Sequence, residues 1–275
     1  MAIQLTDRIT LNNGIKMPRF GLGVYLADSG KETQRAVEHA LASGYRLIDT
    51  ARMYGNEKDV GTAVRNSGIS RDEVFITTKL WNSDHGFEKA QRAFEKSLRE
   101  LNLDYIDLFL IHWPVENIRN ETWKALERIV KSKQCRAIGV SNYTISHLKE
   151  LLSDSETAPA INQVEFSPFL YQKELLEFCR EHEIQLEAYS PLTRGKKFDH
   201  PLLQKLSEKY RKSPAQIMIR WSLQHDLIVI PKSTNPQRIE ENAQVFDFVI
   251  EEDDMNTLDG LDDNYRVSWD PSNIH

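Results

Sequence analysis

Eight times along the chain a short apolar, β-branched run gives way to a longer amphipathic one, and this alternation restricts the fold more than any other property of the sequence. The short runs, at 19–23, 47–49, 74–79, 106–112, 137–140, 161–165, 185–189 and 228–230, have the length and composition of strands. Between and after them lie helix-like stretches near 31–43, 57–67, 87–101, 121–132, 145–153, 172–182, 201–210 with 214–224, and 236–242. Strands joined by helices build a parallel sheet, because each crossover returns the chain to the same end. Eight such units predict a (β/α)8 TIM barrel, and 275 residues fit one barrel domain spanning 1–275.

Ahead of the repeats, Asn12-Asn13-Gly14 between two short apolar runs favours a β-hairpin, since Asn and Gly accept positive φ. The expected place for it is a cap over the amino-terminal end of the barrel. After the last unit, 251–261 reads as an extra helix and 262–275 as an irregular tail.

In such a barrel the loops after the strands converge on one mouth, so positions distant in the chain become neighbours. Several predicted strands are apolar until they stop on, or just before, a group that titrates or hydrogen-bonds. Asp49, Tyr54, Lys79 and His112 follow three successive strands in this way, and Ser141, Asn142, Gln163, Tyr189 and Lys232 fall at later strand ends. A packed core does not require that pattern. Reduction of a carbonyl does require a proton donor and dipoles aimed at an oxygen that gains negative charge.

Composition removes other classes. A net charge of −6 and a pI near 5.8 argue against a nucleic-acid footprint. The local run Lys131, Lys133, Arg136 reads as a solvated helix end. Cys135 and Cys179 have no CxxC spacing and are expected as reduced thiols, and the eight histidines show no HxH or HExxH metal spacing. No stretch approaches the roughly 20 apolar residues of a membrane span, and the first residues lack a secretory pattern, so a cytoplasmic location is expected.

Gly44-Tyr45-Arg46-Leu47-Ile48-Asp49-Thr50-Ala51, Tyr54-Gly55-Asn56-Glu57, Lys79-Leu80-Trp81, Leu110-Ile111-His112-Trp113-Pro114, Ile138-Gly139-Val140-Ser141-Asn142 and Ile230-Pro231-Lys232-Ser233 together resemble the aldo-keto reductase family. The likeness runs in order over nearly the whole chain and is greatest to short bacterial members that reduce methylglyoxal, 2,5-diketo-gluconate and related carbonyls. It implies a barrel, an NADPH cofactor, a small carbonyl substrate and a monomer. Tyr54 is implied as general acid, with Lys79 and Asp49 lowering the pKa of its phenol and His112 orienting the carbonyl.

A Rossmann fingerprint is missing: Gly21-Leu22-Gly23 lacks the third glycine and its context, and reads as tight strand packing. The phosphate site is expected after the last strand, where barrels bind phosphate at the start of a short helix. The resemblance assigns Lys232, Ser233 and Arg238 to the adenosine 2′-phosphate of NADPH and Glu241 and Asn242 to the adenine. It gives Ser141, Asn142 and Gln163 to the carboxamide, Tyr189 to stacking on the nicotinamide, and Ser190 and Leu192 to the pyrophosphate. Tyr25, Trp81 and Trp113 are expected as an aromatic substrate wall, with His112 inside it and Trp269 of the tail closing it.

The chain departs from common family usage at Val24, Tyr25 and Ser167, where Thr, Trp and His are frequent. The first of these removes a hydroxyl near the cofactor. Two other classes stand beside the reductase: a nicotinamide-sensing subunit without turnover, and a metal-dependent hydrolase or isomerase barrel.

Overall fold

In the computed structural model, which describes residues 3–274, the hairpin comes first, as β1 (Arg8–Thr10) and β2 (Lys16–Pro18). The repeats follow as β3 (Leu22–Gly23), α1 (Lys31–Ala42), β4 (Leu47–Asp49), α2 (Glu57–Asn66), β5 (Phe75–Leu80) and α3 (Phe87–Leu101). They continue as β6 (Ile106–Ile111), α4 (Arg119–Lys131), β7 (Cys135–Ser141), α5 (Ile145–Asp154), β8 (Ile161–Glu165) and α6 (Lys173–Glu181). β9 (Gln185–Tyr189), α7 (Pro201–Tyr210), α8 (Pro214–Gln224), β10 (Ile228–Val229), α9 (Pro236–Ala243) and α10 (Glu252–Asp259) complete the order.

The eight strands β3 to β10 pair in parallel, each beside its neighbour in sequence. The first strand also meets the last, through bridges Phe20 to Val229 and Gly23 to Lys232, with Gly21 N donating to Val229 O at 3.0 Å. The sheet therefore closes, and the (β/α)8 barrel is the fold. Closure needs glycine at 21, because a Cβ there would lie 2.4 Å from Leu47 Cγ. The reading of Gly21 and Gly23 as close packing stands.

Side chains alternate across the barrel wall with the two-residue period of a strand. Ile48, Ile76, Phe109, Ile138, Val164, Leu186 and Val229 face the helices and form one apolar layer. Leu47, Phe75, Leu108, Leu110, Ala137, Ile161, Ile228 and Ile230 form a second cluster within the wall. Leu11 and Met17 of the hairpin join this inner cluster, while Asn12 and Asn13 donate to Pro159 O and Arg136 O. The hairpin thus plugs the amino-terminal end, and Gly14 turns it at φ +81°.

Local chemistry explains the helix starts. Ser213 and Gln216 form a reciprocal capping box on α8, Thr144 and His147 another on α5, and Pro opens α7, α8 and α9. One expectation fails here. Arg136 is no part of a solvated helix end: it lies on β7, where pairing of Cys135 with Ile106 lengthens the strand, and it bonds the buried Asp107 at 2.7 Å. No helix among the described residues is long and apolar enough to cross a membrane.

Candidate active site

The inner cluster is apolar towards the hairpin and becomes polar towards the strand ends. Asp49, Lys79, Gln163 and Glu187 occupy inward positions on β4, β5, β8 and β9, each buried. Lys79 is wholly enclosed, and its Nζ donates to Asp49 Oδ1 and Oδ2 at 2.7 and 2.8 Å and to Thr50 O at 2.9 Å. Its remaining contact is the Tyr54 hydroxyl at 3.4 Å.

Tyr54 reaches that point on a single 3-10 turn, Arg52–Tyr54, that follows β4 and ends on Gly55 with φ 70°. The turn is anchored beneath. Thr50 Oγ1 donates to Asn56 Oδ1 at 2.7 Å, and Asn56 Nδ2 donates to Val24 O at 3.0 Å. On the other side, the His112 ring stands edge-on to Tyr54, with centroids 5.7 Å apart.

The electrostatics differ in one respect from the sequence reading. Lys79 was expected to lower the pKa of Tyr54, yet burial raises it well above its ordinary value, with Asp49, Tyr25 and Glu187 adding to the rise. Asp49 also holds Lys79 at shorter range than Tyr54 does, which weakens the pull of the ammonium on the phenol. Tyr54 therefore keeps its proton across the neutral range. His112 is held neutral, well below its usual pKa, first by burial and then by the Lys79 charge.

From this centre a cavity of about 1180 Å³ runs to the residues after β10. Of the side chains singled out from the sequence, it is lined by Tyr25, Asp49, Tyr54, His112, Trp113, Ser141, Asn142, Gln163, Tyr189, Ser190, Leu192, Lys232, Ser233, Arg238, Glu241, Asn242 and Trp269. Lys79 lies behind them. Trp81 does not line this cavity; it packs edge-on against His112 at 5.2 Å and supports that ring. Trp269, 64% exposed, comes within 5.6 Å of the Trp113 ring. A smaller cavity of about 500 Å³, lined among others by Tyr143, Glu165, Tyr171 and Arg266, contains none of the four strand-end residues.

Several polar groups along the cleft are held by one another. Tyr189 Oη donates to Asn142 Oδ1 at 2.8 Å, and Asn142 Nδ2 donates to His112 O and to Ser141 Oγ, both at 3.0 Å. Ser141 Oγ donates to Gln163 O at 2.7 Å. Asn142 and Ser190 hold positive φ of 64° and 49°, uncommon for residues other than glycine. At the far end, Asn235 Oδ1 caps α9 by accepting from Arg238 N at 3.0 Å, so the helix start faces the cleft beside Lys232 and Ser233.

Two acidic residues escaped the sequence reading. Glu187 lies at the barrel centre, and Glu165 accepts from Val267 N and Ser268 N at 2.6 and 2.9 Å, tying the tail to β8. The signal for Glu187 was present: it is an acid within an apolar strand, at the same parity as Tyr189.

The chain also has known relatives. Residues 21–263 match the model of the aldo/keto reductase family. The chain is 48% identical over 274 residues to the glyoxal reductase of Bacillus subtilis, covering 100% of this chain and 99% of the relative. Among solved structures, an aldo-keto reductase from a Medee basin deep-sea metagenome library superposes with a TM-score of 0.94 at 40% identity, covering 97% of this chain and 99% of the other. A Bombyx mori aldo-keto reductase in complex with NADP gives 0.91 at 36% identity, covering 97% and 96%.

Proposed function

Since the chain belongs to the aldo/keto reductase family and is an oxidoreductase, we propose that it reduces small aldehydes and ketones to alcohols with NADPH, using Tyr54 as the proton donor. The observation that carries this reading is the Tyr54 hydroxyl, 3.4 Å from the buried Lys79 ammonium at one end of a cleft whose other end holds Lys232, Ser233 and Arg238. Glyoxal, the substrate in the name of the Bacillus subtilis relative, is of the expected size.

The residues suit a nicotinamide dinucleotide. One continuous cleft offers a phenol face at Tyr189, amides at Asn142 and Gln163, and two cations beside a capped helix start. Lys232, Ser233 and Arg238 would hold a 2′-phosphate, and Gln163 and Tyr189 the carboxamide and ring. Asn142 is already engaged through both amide atoms, so it serves the ring mainly by fixing Tyr189. When bound, NADPH supplies the hydride.

The chain's own groups do the rest. A carbonyl oxygen between the Tyr54 hydroxyl and His112 gains stabilisation as its negative charge develops. Tyr54 gives its proton to that oxygen: the phenolic O–H bond breaks, the alcohol O–H bond forms, and the phenolate left behind faces the Lys79 ammonium. Neutral His112 orients the oxygen without adding a competing charge. Tyr25, Trp113 and Trp269 exclude water on the substrate side, and the exposed edge of the cleft admits small or aromatic carbonyls. The same reading has the enzyme acting as a monomer in the cytoplasm.

The test is coenzyme oxidation, followed by absorbance, with glyoxal, methylglyoxal, an aromatic aldehyde and an aldose. Tyr54→Phe should lose about 10²–10⁴-fold in kcat/KM, the usual contribution of a positioned acid, with NADPH binding intact. Near wild-type turnover in that variant sinks the mechanism. Equal use of NADH and NADPH by the wild type sinks the 2′-phosphate assignment.

A further inference from the structure

Glu187 is fully buried at the centre of the barrel, and the mechanism above gives it no part. Its Cα is in register with Gln163 on β8 and Ile228 on β10. Gln163 Nε2 donates to Glu187 Oε2 at 2.8 Å and to Asp49 Oδ2 at 2.8 Å, so both amide hydrogens are engaged by carboxylates. The Asp49 carboxylate can only accept, so the amide turns its nitrogen to it, and the Glu187 carboxyl takes the second amide hydrogen on its carbonyl oxygen. The oxygen Oε1 is then the one polar atom that Gln163 has left for a ligand in the cavity it lines.

Charge makes a second demand. Asp49 and Glu187 are two buried acids, and among the described residues the cation facing them is Lys79, whose donors are engaged by Asp49 and Thr50, with Tyr54 beyond. Glu187 Oε1 has no partner among the described residues. A second enclosed carboxylate with a single hydrogen bond is unfavourable, and a carboxyl that keeps its proton avoids the cost.

We propose that Glu187 is a positioning residue: holding a proton, it fixes the Gln163 amide with its oxygen towards the cofactor's carboxamide and leaves the Lys79 ammonium to Asp49 and Tyr54. The proposal rests on the nicotinamide reading given above. Burial, and then the Asp49 charge, push the Glu187 carboxyl up to about 8. The titrating groups that face it are Asp49 on β4, Lys79 on β5 and Tyr54 after β4, whereas its strand neighbours Gln163 and Ile228 do not titrate. Once Glu187 ionises, its charge binds the Tyr54 proton more firmly, and reduction slows.

Two variants separate the two halves of the proposal, with NADPH binding read by protein fluorescence and reduction read across pH. Glu187→Gln keeps an acceptor for Gln163 and cannot ionise. It should bind NADPH within about 2-fold of wild type at pH 6.5 and lose the alkaline fall of kcat/KM centred near pH 8. Glu187→Leu removes the acceptor, and its NADPH Kd should rise about 10-fold, the worth of one hydrogen bond. An unchanged Kd in Glu187→Leu, or an unchanged alkaline limb in Glu187→Gln, overturns the positioning role while wild-type NADPH binding stands. A wild type that binds no NADPH overturns the functional reading instead, and this proposal with it.

Discussion

Lys79 is enclosed so completely that its charge is expressed only through its neighbours. Its donors meet both oxygens of Asp49 and Thr50 O, and its weakest contact is the one proposed to matter for chemistry, the Tyr54 hydroxyl. The Asp49 carboxyl is pushed up by burial and pulled back by Lys79, so the pair holds its charges only as a pair. Removing one partner of such a pair typically costs about 3–5 kcal/mol, because the other is left buried and uncompensated. Lys79→Met should therefore unfold at markedly lower denaturant and lose reduction. Adding Asp49→Asn removes the stranded charge, so the double variant should regain most of the stability and none of the turnover. Denaturation midpoints and NADPH oxidation on these two variants and on Asp49→Asn alone complete the cycle. A double variant that recovers activity would show that Tyr54 needs no ammonium beside it.

Among the elements, β8 is unusual in serving two ends of the site. Gln163 points into the barrel, and two residues later Glu165 holds the tail through Val267 N and Ser268 N. Asp263 N and Tyr265 N donate to Phe169 O, so the tail is docked on the loop after β8 before it reaches Trp269. Trp269 itself is mostly exposed and has Trp113 as its ring partner, which makes its position depend on the backbone that Glu165 holds. Glu165→Gln offers one oxygen and one NH₂ where two backbone N–H groups seek acceptors, and an unsatisfied group of this kind costs about 1–3 kcal/mol. The expected result is faster hydrogen exchange over 265–270 and a several-fold higher KM for an aromatic aldehyde, with kcat for glyoxal near wild type. Unchanged exchange in that segment would mean the tail is held by its other contacts.

Over the whole molecule, the parts legible from sequence are those with a local cause. Strand and helix positions follow from periodicity, Asn12-Asn13-Gly14 from turn chemistry, and the strand-end residues from an apolar run that stops on a polar group. The bridge from Phe20 to Val229, the docking of the tail on Glu165 and the meeting of Glu187 with Gln163 join residues that no local pattern relates. The direction of the Tyr54 shift was illegible for the same reason, since it depends first on how deeply the phenol is buried and then on the Asp49 charge beside it. Burial also sets how the fold responds to pH. Carboxyls held above their usual range, Glu57, Glu165 and Glu187, lower stability as pH rises through the range in which the unfolded chain has ionised and the native state has not. Buried histidines act in the opposite sense. His85, with Nδ1 3.0 Å from Thr122 Oγ1, is held down to about 4 by burial, against 6.5 when free. The unfolded chain takes up this proton first, so the stability that neutral His85 provides is present above pH 6.5 and is lost as pH falls towards 4. Linkage puts the loss between pH 7 and pH 5 at about 2 kcal/mol for this one group. His85→Asn retains a hydrogen-bonding partner for Thr122 and cannot titrate, which isolates the term from the carboxyls. Stabilities of wild type and variant from urea titrations should converge by about that amount on going from pH 7 to pH 5, and a gap independent of pH would show that His85 titrates alike in the native barrel and in the unfolded chain.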